Sequence, residues 1–213
     1  MPYMKFYMTP GSCSTGIHIL LEEIGEIFQA YLVNLMAGDQ FKPEYLAINP
    51  RGSVPALVTE DGKALISWQS IACSLAEDYP QARLMPEGDE DRTRVMKVMD
   101  YAVNTMHGEG FARIFTTDRF AMDENDAKDE LALGRRILDK GFARIEEVLE
   151  GRSYVAGQFS IADAALFYIE FWADRTDIPL PPNCRAHYDR MLQRPSVRQI
   201  LMEEGYARVL NGS

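Results

Sequence analysis

Met4-Lys5-Phe6-Tyr7-Met8-Thr9-Pro10-Gly11-Ser12-Cys13-Ser14, read together with the run that follows it as far as Leu35, decides the architecture. Met4 to Met8 is a short apolar run of strand length, and Thr9-Pro10-Gly11-Ser12 then supplies turn chemistry. Ile17, Leu20, Leu21 and Ile24 follow at the spacing of one helical face, Gly25 supplies the stop, and Phe28 to Leu35 reads as a second strand. A strand-helix-strand unit this short places its two strands in parallel through a right-handed crossover.

Outward from that unit lie a polar loop from Ala37 to Pro43, a short helix around Glu44 to Ile48, and the segment Asn49-Pro50-Arg51-Gly52-Ser53-Val54-Pro55-Ala56-Leu57. A proline directly before an apolar strand start implies a sheet edge or a cis peptide. Val58 to Ile66, with Glu60-Asp61-Gly62-Lys63 at its middle, reads as a hairpin. A helix runs from Ser67 to Asp78, and Tyr79-Pro80 stops it. These elements make up a thioredoxin-like domain, a mixed four-stranded sheet with helices, over residues 1–82.

Residues 83–91 read as a linker, polar and acidic from Pro86 to Asp91. Residues 92–213 are helical in pattern, with stripes at Val95, Val98, Met99 and Ala102, then Leu131 to Leu149, Ile161 to Trp172, Ala186 to Leu192 and Val197 to Glu204. The expected class is α/β plus all-α, a thioredoxin-like domain followed by a helical bundle. Val209 to Ser213 are expected to fray.

The chain has 213 residues, 46% of them hydrophobic, enough for a substantial core. Its net charge of −10, without any basic block, argues against binding DNA or RNA. The N-terminus lacks a basic segment followed by an apolar one, so a cytoplasmic protein is expected. The longest strongly apolar run, Ala164 to Ala173, is interrupted by Glu170 and falls short of the roughly 20 residues a spanning helix needs, so no membrane association is expected. Cys13, Cys73 and Cys184 are odd in number and widely spaced, which fits a reducing compartment. His18, His107 and His187 share no ligand spacing with carboxylates, and no metal is expected.

Cys13 stands between the first strand and the first helix, where free backbone N–H groups and the positive end of the helix favour a thiolate. Tyr7 and Ser14 are the neighbouring hydroxyls. A cysteine, a tyrosine or a serine at such places also serves as core, packed ring or helix cap.

Tyr7 to Ser14, followed by the helix that holds His18, resembles the opening of the bacterial beta class of glutathione S-transferases. The likeness extends through Asn49 to Pro55, Gly157-Gln158-Phe159-Ser160-Ile161-Ala162-Asp163 and Gln193-Arg194-Pro195-Ser196-Val197, so it spans nearly the whole chain. It implies that Cys13 contacts the glutathione sulfur and that Val54, before a cis Pro55, pairs its backbone with the tripeptide as an added strand. It also implies that His107 faces the same pocket, that Asp100 and Asn104 reach the glutathione of the partner subunit, and that the protein is a homodimer joined through the helix 92–107. Ser160 and Asp163 have the spacing of a capping box and bear on folding rather than on substrate.

The sequence departs from the family where the γ-glutamyl end of glutathione is gripped, normally by an acidic residue or glutamine followed by serine. Gln69-Ser70 match that pattern by letter, whereas the gap-free count places Ser67-Trp68 there and is preferred. That register lacks the usual carboxylate, turns Trp68 toward the peptide and implies weakened binding. The resemblance implies a glutathione transferase acting in detoxification, with glutathione as co-substrate and an apolar electrophile bound between the domains. Cys13 would serve as hydrogen-bond donor or as nucleophile in thiol-disulfide exchange, unless Ser14 or Tyr7 supplies the donor. The alternative is a noncatalytic scaffold or regulator of the same fold with weakened glutathione binding.

Overall fold

The computed structural model describes residues 3–211. It divides into two compact units, one of residues 3–85 with 191–211, the other Pro86–Arg190.

In the first unit, β1 (Met4–Met8), β2 (Phe28–Leu32), β3 (Ala56–Val58) and β4 (Ala64–Leu65) form one sheet in the order β2-β1-β3-β4. β1 and β2 run parallel, with Met4 opposite Phe28 and Tyr7 opposite Tyr31, and β3 lies antiparallel to both β1 and β4. Strand alternation sends Met4, Phe6 and Met8 into the core and leaves Tyr7 on the other face. α1 (Ser14–Ile24) contributes Ile17, Leu20, Leu21 and Ile24 to the core and ends at Gly25, whose left-handed backbone (φ 71°) suits a residue without Cβ. α2 is the short helix Pro43–Leu46, and α3 (Trp68–Asp78) packs against α1. Val54-Pro55 is cis, and since β3 is an inner strand, the cis reading of that proline is the one realised.

The regular elements of the second unit are all helical among the described residues. α4 (Asp89–Asp100) begins inside the expected linker. It runs into a π-helix, Tyr101–Phe111, whose cap N–H at Ala112 reaches the carbonyl of His107 five residues back. α5 (Ala112–Phe115) and the long α6 (Glu124–Leu149) follow, and a Cβ at Gly134 would stand 2.9 Å from the Gly110 carbonyl, so α6 and the π-helix approach closely. α7 (Ile161–Arg175) opens where the Ser160 N–H and hydroxyl donate to Asp163 Oδ2 at 2.8 and 2.7 Å. α8 is Pro182–Gln193.

α9 (Pro195–Glu203) packs on α1, so residues from 191 onward group with the first unit although their helical pattern alone assigns them to the bundle. Arg194 clamps this segment through two bonds of 2.7 Å to Glu23 of α1. Residues 207–211 form a 3-10 turn, and 212–213, also expected to fray, lie outside the described residues. No described helix is long and apolar enough to cross a membrane.

Candidate active site

The loop between β1 and α1 is closed on itself. Ser14 Oγ accepts from the Thr9 N–H at 3.1 Å and donates to the Thr9 carbonyl at 3.0 Å, while the Ser14 N–H donates to Ser12 Oγ at 3.1 Å. The Ser14 hydroxyl is thus engaged within the loop and fully buried. Glu204, just after α9, holds the same loop from outside. Its carboxylate accepts from the Gly11 N–H at 2.8 Å and from Thr15 Oγ1 at 2.7 Å, and it meets His18 Nδ1 at 2.8 Å. Sequence reasoning passed over Glu204, because nothing local distinguishes it from the exposed Glu203 beside it.

Cys13 is the N-cap residue of α1, as its place before the helix implies. The expected thiolate is not what this position holds. Cys13 is 6% exposed, its S–H donates to the Val54 carbonyl with Sγ···O of 3.4 Å, and the Trp68 indole N–H donates to the Cys13 carbonyl at 3.0 Å. Burial pushes the thiol up to about 12, outweighing the backbone N–H groups of Cys13 and Ser14 that act the other way. Residues 41 and 55 positions further along the chain, Val54 and Trp68, close over it.

Helix α3 begins at Trp68. Ser67 is the N-cap, its hydroxyl accepting from the Ser70 N–H at 3.1 Å and the Ser70 hydroxyl accepting from the Ser67 N–H at 3.3 Å. The expectation that Trp68 faces the peptide is corrected: Trp68 is 4% exposed, and its indole points inward to Cys13. Gln69 is half-buried, Ser70 is exposed, and the first turn of this helix carries no acidic residue. Val54 stands just outside the β3 ladder, which begins at Ala56, and buried Pro55 follows it.

Tyr7 stacks on Tyr31 with ring centroids 5.0 Å apart and meets Tyr45 edge-on at 5.8 Å, beside a cleft of about 300 Å³. Burial and Tyr31 raise its phenol, so at neutral pH it is a neutral ring hydroxyl in an aromatic cluster. The Tyr45 hydroxyl donates to the Ser53 carbonyl at 2.6 Å, which braces the segment leading to Val54.

His107, on the π-helix of the second unit, stands edge-on to Trp172 at 4.9 Å and to Tyr168 at 5.8 Å, with Tyr168 Oη 3.4 Å from its Nδ1. Burial lowers it to about 4, so the imidazole is neutral at physiological pH. Phe111 and Phe115 complete an aromatic wall around Trp172, at 5.3 and 5.1 Å. Asn104, on the same helix, is exposed and donates to Asp100 at 2.6 Å. Among the described residues no group of three or more His, Cys, Asp or Glu could hold a metal ion.

A sheet of this order, with a cysteine capping the first helix and a cis-proline segment against its sulfur, defines a thioredoxin-like unit, and comparison with known proteins supplies the family. Residues 11–77 match the glutathione S-transferase N-terminal domain and residues 125–190 the C-terminal domain. The chain is 32% identical over 211 residues to glutathione S-transferase GstA of Escherichia coli O157:H7, covering 95% of this chain and 99% of that one. A glutathione transferase homologue from Sulfitobacter, solved with bound glutathione, superposes with a TM-score of 0.87 at 30% identity, covering 95% and 99%. A bacterial beta class enzyme from Sphingomonas chungbukensis does so with 0.81 at 28% identity, over 95% and 99%. The chain belongs to the glutathione S-transferase family.

Proposed function

We propose that this protein conjugates glutathione to a small apolar electrophile, with Cys13 acting as the neutral hydrogen-bond donor that stabilises the glutathione thiolate. The observation that carries the reading is the buried, protonated Cys13 thiol, whose S–H points at the Val54 carbonyl next to the cis peptide. An extended peptide adding alongside Val54 would bring its own sulfur to that S–H. The glutathione sulfur gives an electron pair to the electrophilic carbon, the leaving group departs with the bonding pair, and the thiol proton passes to solvent. Cys13 ends the cycle unchanged.

Thiol-disulfide exchange at Cys13 requires a thiolate, which its burial opposes. Ser14 closes the loop, and Tyr7 braces the sheet face with Tyr31 and Tyr45. Val54, Pro55, Ser67, Gln69 and Ser70 would contact glutathione. Neutral His107, with Phe111, Phe115 and Trp172, would supply an aromatic wall to the electrophile, and a homodimer would bring Asn104 toward the glutathione of the partner subunit.

Calorimetric titration with reduced glutathione tests the reading. Saturable binding, weakened in Cys13→Ala, supports it. Absence of binding up to millimolar peptide rejects it and favours the noncatalytic scaffold, the reading supported by the missing carboxylate at residues 67–70.

A further inference from the structure

Trp68 opens α3 and Cys13 caps α1, and a buried hydrogen bond of 3.0 Å joins the indole N–H to the Cys13 carbonyl. That carbonyl already accepts from the Gly16 N–H at 3.2 Å, so helix formation does not require the second donor. Capping of α3 is likewise complete through Ser67 and Ser70. An all-carbon ring would fill the same space, yet the residue present carries one N–H and aims it at the peptide group of the reactive cysteine.

The Cys13 carbonyl shares a rigid planar peptide with the Ser14 N–H. A donor on the oxygen fixes the plane and polarises the N–H at its other end. That N–H, which also donates to Ser12 Oγ, is one of two backbone groups that act on the Cys13 sulfur. On the far side the Val54 carbonyl takes the S–H. Cys13 is therefore held at two points, the backbone by Trp68 and the sulfur by Val54.

We infer that Trp68 is a positioning residue for Cys13, its indole N–H fixing the Cys13-Ser14 peptide so that the S–H is presented to the glutathione sulfur. The inference rests on the reading of Cys13 as the donor in transfer. It assigns the tryptophan at the departure from the family pattern a role through Cys13 rather than through contact with the peptide.

Trp68→Phe keeps a ring and removes the donor. In steady-state conjugation of glutathione to an activated aryl chloride, kcat falls about tenfold, equivalent to roughly 1.4 kcal/mol, while KM for glutathione changes by less than about twofold. A wild-type kcat, or a loss confined to KM for glutathione, overturns the inference. If Trp68→Phe does not fold, benzothienylalanine at position 68 replaces the N–H by sulfur at nearly the same size and is judged by the same outcomes. Cys13→Ala, measured alongside, separates the two levels. If it leaves kcat unchanged, the donor reading fails and the inference with it; if it lowers kcat and the Trp68 variants do not, the inference alone fails.

Discussion

His18 Nδ1 lies 2.8 Å from Glu204 Oε1 inside the protein, a contact that ties the first helix to the segment after the last one, 186 residues away. The same carboxylate, its side chain 1% exposed, also accepts from Gly11 and Thr15. Glu204→Ala leaves the buried Thr15 hydroxyl and His18 ring without this acceptor, and a loss of about 3 kcal/mol is expected in urea unfolding. Glu204→Gln keeps the shape and should lose less.

Gly11 shows how closely that segment is applied. Its backbone is left-handed (φ 72°), and a Cβ there would stand 2.6 Å from Tyr206 Cζ, nearer still to the hydroxyl. Gly11→Ala should destabilise the protein by roughly 1–2 kcal/mol, chiefly through backbone strain, since the overlapping atoms are the outer end of the Tyr206 side chain. The urea midpoint should fall accordingly, and a midpoint equal to wild type would contradict the strain at Gly11.

The fold was legible because its signals are local. The apolar run from Met4 to Met8, the helical face ending at Gly25 and the Ser160-Asp163 spacing each act within one turn or strand. What escaped is non-local. Cys13 is covered by Val54 and Trp68, and the acid that holds its loop is one of two adjacent glutamates at the far end of the chain. The π-helix escaped because widening the hydrogen-bond register by one residue leaves no signature in the apolar spacing of residues 101–111.

His187 is a buried imidazole between two carboxylates, Nδ1 at 2.8 Å from Glu170 and Nε2 at 3.1 Å from Asp163. Burial alone would lower it, but Glu170 and Asp163 outweigh that and lift it to about 10. A folded-state value above the unfolded one means stability that is full below the ordinary imidazole value of about 6.5 and is lost as pH rises through about 10. Urea midpoints should therefore fall across that window. His187→Gln should be less stable at neutral pH and lack this part of the slope.

Whether Cys13 donates a hydrogen bond to the glutathione sulfur without itself ionising is decided by ultraviolet thiolate absorbance measured against pH. In the wild-type protein saturated with glutathione, the bound thiol should ionise below the ordinary thiol value of about 8.5, and in Cys13→Ala at higher pH than in wild type. The ligand-free protein should show no Cys13 thiolate at neutral pH. Equal ionisation of bound glutathione in both proteins, or a Cys13 thiolate already present at neutral pH without ligand, would contradict the account.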